Sequence, residues 1–278
     1  ARLNSGRYQL EIAADGNSRS LVRTANGGSL DFSRRSADPA LAHGHTFYMQ
    51  EFLPETGRFS LPNDLLRARM DGAARTAQRT PADTVVLTQD GADGLNARIE
   101  VRPFAHGEAM LWRIHLSQSA GRARRLRITS YLEWALNRPD VYLRRPDFNA
   151  IHVGVRFTRD RAALLAHNRL LGGEHPNRHP PGCAFVAVMP SDRVCLVGYE
   201  DDRSRFLGLG TLANPQGLAG HELRGVGDEG LLYPFDPAAA LQVSSWPGSR
   251  VGPTPKPQPL TRSPMHFHLI FPFHRCRQ

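Results

Sequence analysis

At 278 residues, 40% hydrophobic and 22% charged, the chain has the make-up of one large or two small globular domains and not of a disordered segment. Its formal net charge of +9 rests on arginine, since Lys256 is the sole lysine. The arginines are scattered, with doublets at Arg34-Arg35, Arg124-Arg125 and Arg144-Arg145, which argues against a nucleic-acid-binding face or tail.

Three cysteines without CxxC spacing argue against a disulfide framework or a structural zinc site and for a reducing compartment, read here as the cytoplasm. No apolar run is long enough to cross a bilayer. The opening residues read as mid-pattern rather than as a signal peptide, so the chain is expected to be a piece of something longer. With 25 Gly and 21 Pro, short strands and turns are favoured over long helices.

Residues 6–14 alternate Tyr8, Leu10 and Ile12 with Gln9 and Glu11. Asp15-Gly16-Asn17 turns the chain, and 18–24 returns, which predicts a hairpin. Residues 25–45 read as loop. A short strand is expected over 46–50, and Leu53 to Arg58 turns it back into Phe59-Ser60. Further strands are expected over 65–70, 84–89, 95–104 and 109–117, with turns at Asp90-Gly91, Asp93-Gly94, His106-Gly107 and Ala120-Gly121. Strands joined by such short turns pair antiparallel.

The stretch 122–155 organises the rest. Leu126, Ile128, Ser130 and Leu132 share one face, and Arg127, Thr129, Tyr131 and Glu133 the other, which is the period of a strand on a core. It runs into Asn137-Arg138-Pro139-Asp140, a loop signal, and a second strand follows over 150–157. Strands are then expected over 162–167, 183–189, 193–199 and 237–243, and a short helix or turn over 201–207. The fold predicted is all-β, a large antiparallel β-sandwich, with a barrel as the alternative. Its domain spans residues 1–243. Residues 244–278, with Pro at 247, 253, 255, 257 and 259, read as a Pro-rich irregular tail, from truncation or a frame shift.

Chemistry is sparse. Glu51, Glu100, Glu133, Asp147, Glu200, Asp201 and Asp202 are candidates for paired carboxylate work, though ion pairing with arginine accounts for most such residues. His43/His45 and His266/His268 have strand spacing for metal binding, and His175 and His179 are four apart, but no third ligand follows by spacing. Gly208-Leu209-Gly210 lacks the GK[ST] of a phosphate loop, and no GxSxG is present. Aromatic side chains can stack on sugar rings; Tyr48 and Tyr142, at or in loops, are the better candidates.

Four stretches, in order, resemble one carbohydrate-active family. GRYQLEIAADGNSRS (6–20) resembles its opening GRY strand. FYMQEFLPETGRFS (47–60) resembles its YLRD..TG..WS segment. RITSYLEWALNRPDVYLRRPDFNAIHV (127–153) is similar to ELTSYAEVVL…HPAFS.LFV, and YEDDRSRFLGLGTLANPQGL (199–218) to ETDRARFLGRGRTL..P.AL. The family is glycoside hydrolase family 94, which includes the cellobiose phosphorylases and cyclic β-1,2-glucan synthases.

The resemblance implies the family's N-terminal β-supersandwich, a galactose-mutarotase-like fold. It further implies that the catalytic acid lies in a separate (α/α)6 barrel, leaving no catalytic residue here. Glu51, Arg58, Arg145 and Asp147, at motif positions, would then join Tyr48 and Tyr142 at sugar. The partners implied are a β-linked glucan or oligosaccharide, the parent's barrel, and a second copy of the chain. No cofactor or metal is implied, and the parent protein could be anchored in the inner membrane. Departures occur where the family's arginine-aspartate is Gln50-Glu51, its tryptophan is Phe59, and its HPAF is Arg145-Pro146-Asp147-Phe148. Two rival readings are a free-standing mutarotase-like enzyme using His115, His152 and Glu133, and a purely structural dimerisation module.

Overall fold

The computed structural model describes residues 1–24, 27–34, 44–67, 75–80, 83–91, 94–104, 109–118, 124–169, 182–189, 194–219, 223, 225, 236–245 and 265–275. In chain order the strands are β1 (Arg2–Ser5), β2 (Tyr8–Ile12), β3 (Ser18–Arg23), β4 (Ser29–Ser33), β5 (Thr46–Leu53), β6 (Arg58–Phe59), β7 (Asn63–Asp64), β8 (Arg75–Thr80), β9 (Thr84–Asp90), β10 (Leu95–Pro103), β11 (Ala109–Gln118) and β12 (Leu126–Asn137). Two short helices, α1 (Pro139–Tyr142) and α2 (Pro146–Ala150), lead to β13 (Val153–Thr158), β14 (Ala163–Asn168), β15 (Gly182–Met189) and β16 (Cys195–Asp202). Helix α3 (Arg203–Leu207), β17 (Pro237–Ser244) and β18 (Met265–Arg275) follow.

The described strands form two antiparallel sheets. One runs β1-β2-β3-β4-β12-β17-β16, with β5 also on β12 and β6 and β7 on β5; the other runs β13-β14-β15-β18-β11-β10-β9-β8. The all-β sandwich expected from the sequence is what the chain adopts.

A single apolar core lies between the sheets. β10 and β11 supply it by strict alternation, with Leu95, Ala97, Ile99 and Val101 inward on one and Trp112, Ile114 and Leu116 on the other. Phe47 of one sheet meets Trp112 of the other at 5.1 Å, and Phe157 stacks on Tyr199 at 3.9 Å. His45 is buried beside Trp112 at 5.3 Å, with Nε2 2.8 Å from Ser20 Oγ, and burial holds its imidazole down at about 3.

β12 is the seam of its sheet. Its first half pairs with β5 (Leu126 opposite Glu51, Tyr131 opposite Thr46) and its end pairs with β4. The change of partner is made by a bulge between Trp134 and Asn137, where Leu136 takes φ +47. Leu126, Ile128, Leu132 and Trp134 point into the main core, while Tyr131 joins a second cluster on the outer face.

Three expectations give way. Residues 25–45 are not all loop, since Ser29–Ser33 forms β4; its short Ser-Leu-Asp-Phe-Ser run carries little strand signal. The strand expected over 65–70 is absent where described, as Leu65, Leu66 and Arg67 form a bend. The irregular tail is corrected over Met265–Arg275: this backbone is an inner strand, paired to β11 (Ala109 opposite Pro272) and to β15 (Gly182 opposite Arg275). The prolines at 247–259 that motivated the expectation lie outside the described residues.

Candidate functional site

The outer face of the ten-stranded sheet carries its polar chemistry on the odd positions of β12. Tyr131 and Glu133 point outward there, beside Tyr48 of β5, and α3 closes over them. The segment 203–218, here the strap, runs through α3 to a 3-10 turn at Gln216–Leu218. Asp202 starts α3 as an N-cap, its carboxylate accepting from the Ser204 and Arg205 amides. Phe206 is fully buried and stacks on Tyr131 at 4.2 Å and 14°, with Tyr48 at 5.9 Å. Tyr48 Oη donates to the Leu212 carbonyl at 2.7 Å, and Gln50 Nε2 donates to the Leu218 and Ser60 carbonyls at 2.9 Å each. Burial pushes the Tyr48 and Tyr131 hydroxyls well above their usual range, so both stay protonated.

Past Leu207 the chain makes a tight presentation loop. Gly208 has φ +57 and ψ −130, and Gln216 Oε1 accepts from the Leu209 amide at 2.9 Å. Leu209 is 97% exposed at its tip. A Cβ on Gly208 would sit 2.3 Å from Gln216 Oε1 in a backbone conformation that disfavours side chains. Gly208→Ala is therefore expected to cost about 1–3 kcal/mol, read as a lower urea midpoint at unchanged slope.

Six charged groups tie the start of the strap to the sheet. Arg203 bonds Glu133 (Nε to Oε1, 2.8 Å) and Asp236 (Nη1 to Oδ2, 3.3 Å). Arg34 bonds Asp236 at 3.0 Å and lies 3.6 Å from Glu133, and Tyr131 Oη donates to Glu133 at 3.1 Å. Glu200 Oε1 accepts from Arg205 Nε at 2.9 Å and from the Asp201 and Asp202 amides. These carboxylates carry the ion pairs anticipated for an arginine-rich sheet.

The six sequence-predicted sugar-site residues fall into two groups. Tyr48, Glu51 and Arg58 lie on β5 and β6, level with the start of β12. Tyr142 on α1, Arg145 just before α2 and Asp147 on α2 lie after its end. At about 3.3 Å per strand residue the groups are on the order of 30 Å apart, so they are not one site. Tyr48 and Tyr142 are each 1% exposed and act as packing residues, a correction to their reading as ring-stacking loop aromatics. Glu51 holds Arg124 at 2.8 Å. Arg58, Arg145 and Asp147 are exposed.

The rival enzyme's residues are not brought together either. His115 (β11) and Glu133 (β12) belong to different sheets; His115 Nε2 instead lies 3.5 Å from Glu100, which also bonds Arg98 at 2.8 Å. His152 accepts from Arg169 Nε at 2.7 Å. Among the described residues no three His, Cys, Asp or Glu side chains converge as metal ligands would. His43, His175 and His179 lie outside the described residues. The sequence reading missed Arg34, Arg203, Arg205, Phe206 and Asp236; the acidic run at 200–202 followed by two arginines was the available signal.

A family model described as "Glycosyl hydrolase 94, supersandwich domain" matches residues 89–245, more than half of the chain. No curated protein matches the sequence. Among solved structures, a polysaccharide lyase aligns at 11% identity and TM-score 0.49, covering 99% of this chain and 34% of the other. A bacterial glucoamylase complexed with acarbose aligns at 8% and 0.46, covering 99% and 34%. Heparan sulfate lyase HepC from Pedobacter heparinus aligns at 12% and 0.43, covering 99% and 36%. The chain thus spans about a third of the length of these structures.

Proposed function

The chain belongs to the glycosyl hydrolase 94 supersandwich-domain family, and from that premise we propose that it is the non-catalytic carbohydrate-binding and supporting domain of a β-glucan-active phosphorylase or cyclic β-1,2-glucan synthase. It is a domain of a carbohydrate-active family; the finer reading adds that catalysis belongs to a separate (α/α)6 barrel. The family match over 89–245 carries this reading. The committed carboxylates agree with it: Glu133, Asp236, Glu200 and Asp201 all face guanidiniums. Sugar contacts are assigned to the exposed polar positions, with Arg58 at one end of β12 and Arg145 and Asp147 at the other. Cytoplasmic placement and a homodimer complete the proposal.

Titration calorimetry with cello- and β-1,2-gluco-oligosaccharides tests it. Millimolar dissociation constants are expected, because an isolated domain supplies only part of a site. No heat at millimolar oligosaccharide would remove the binding role and leave scaffolding. A mutarotase-like activity is the alternative, drawn from the His115–Glu100 approach of 3.5 Å. Polarimetry on fresh α-glucose decides it, and mutarotation at the uncatalysed rate is expected.

A further inference from the structure

Among the described residues, the Glu200–Asp201 pair is one positive charge short. The two residues are buried, 5% and 1% exposed, and both carboxylates reach the same Arg205 Nη2, Glu200 at 2.8 Å and Asp201 through Oδ1. The Asp201 amide also donates to Glu200 Oε1 at 3.0 Å. The described elements around it do not make up the charge. On α3, Arg203 is committed to Glu133 and Asp236, and Asp202 adds a third carboxylate as the cap. β12 contributes Tyr131 and Glu133, β5 contributes Tyr48, and Arg34 bonds Asp236. The facing strand β17 has no ionisable side chain. Among the described residues, then, the carboxylates of Glu133, Glu200, Asp201, Asp202 and Asp236 meet only the guanidiniums of Arg34, Arg203 and Arg205.

We propose that Glu200 and Asp201 hold one proton between them at neutral pH, and that this proton keeps the strap closed over the sheet. With the proton in place, the pair and Arg205 sum to zero charge in a buried site. Without it, a second negative charge is left beside the first, and opening the strap to water relieves it. Burial is the leading cause in both carboxyls: it raises Asp201 and carries Glu200 to about 7.

The sign follows from linkage. A carboxyl whose folded value lies above its unfolded value contributes stability that is complete at low pH and is lost as pH rises through about 7. The strap therefore loosens as pH climbs from the ordinary carboxylate range to about 7, by up to about tenfold in its opening equilibrium per pH unit, and loosens no further above it. This device is independent of the sugar-binding role proposed above and exposes the Tyr48–Tyr131–Phe206 cluster when it operates.

Two measurements on the full chain test it. With glutamate labelled at ¹³Cδ, the Glu200 signal, assigned by its loss in Glu200→Gln, is expected to titrate near neutrality. Hydrogen exchange of amides 203–218, corrected for intrinsic rate, is expected to quicken from pH 5 to 7 and to level off above. Glu200→Gln reproduces the protonated form and is expected to keep the strap closed and insensitive to pH. Titration of Glu200 in the ordinary carboxylate range near about 4.3, or an unchanged pH slope in Glu200→Gln, overturns the proposal. The carbon titration needs only the native chain, so it decides the question even if the variant folds poorly.

Discussion

Replacing Phe206 with alanine is expected to destabilise the protein by about 3–5 kcal/mol, the usual range for emptying a buried phenylalanine site. The ring is 0% exposed and has two aromatic neighbours, so its removal leaves a hole between Tyr131 and Tyr48 that a five-residue helix cannot fill. The same ring is the apolar anchor of the strap. Trypsin should therefore cut after Arg203 and Arg205 much faster in Phe206→Ala than in the native chain. Chemical denaturation gives the magnitude and timed proteolysis gives the locality. A loss below about 1 kcal/mol with unchanged cleavage would mean that the strap is held by its ion pairs alone.

Acid should weaken the core through His45. Burial keeps its imidazole neutral in the folded state down to about 3, whereas the unfolded residue titrates near its ordinary 6.5. The unfolded chain therefore takes up the proton first, and stability falls as pH drops below 6.5, by about 1.4 kcal/mol per pH unit. At pH 4.5 the loss is about 3 kcal/mol. Glu200 works in the opposite direction over much of this range, so the experiment belongs in Glu200→Gln. Urea unfolding of that variant at pH 6.5, 5.5 and 4.5 should show the full slope, and adding His45→Gln should flatten it. A slope that survives the second substitution would assign the acid sensitivity elsewhere.

The elements that were legible in the sequence are those whose burial alternates. β10 and β11 could be read residue by residue, because one face meets core and the other meets water. β12 was legible as a strand but not as a seam: its outer face is covered by α3 and its edge is taken by β17, both far along the chain. β8 (RTAQRT) has side chains exposed over Thr76–Arg79, so no apolar period marks it.

The candidate site was less legible for a related reason. Tyr48 and Tyr142 were read as exposed because they border turns, yet a strap and a helix bury them, and no local pattern encodes such long-range cover. The Glu200–Asp202 run was recognised as acidic. Its pairing with Arg205 follows from the helix that Asp202 caps, whereas Arg203 turns to Glu133 and Asp236, partners that are distant in the chain.

β18 closes its sheet from the inside. Until Met265–Arg275 is inserted, β11 and β15 each present a raw row of amides and carbonyls, and β13-β14-β15 has no hydrogen-bonded connection to β8-β9-β10-β11. Such rows are templates for stray pairing between molecules. The half-made sheet is therefore the aggregation-prone species during synthesis, and the latest of its described strands acts as its keystone, turning two unfinished ribbons into one continuous wall.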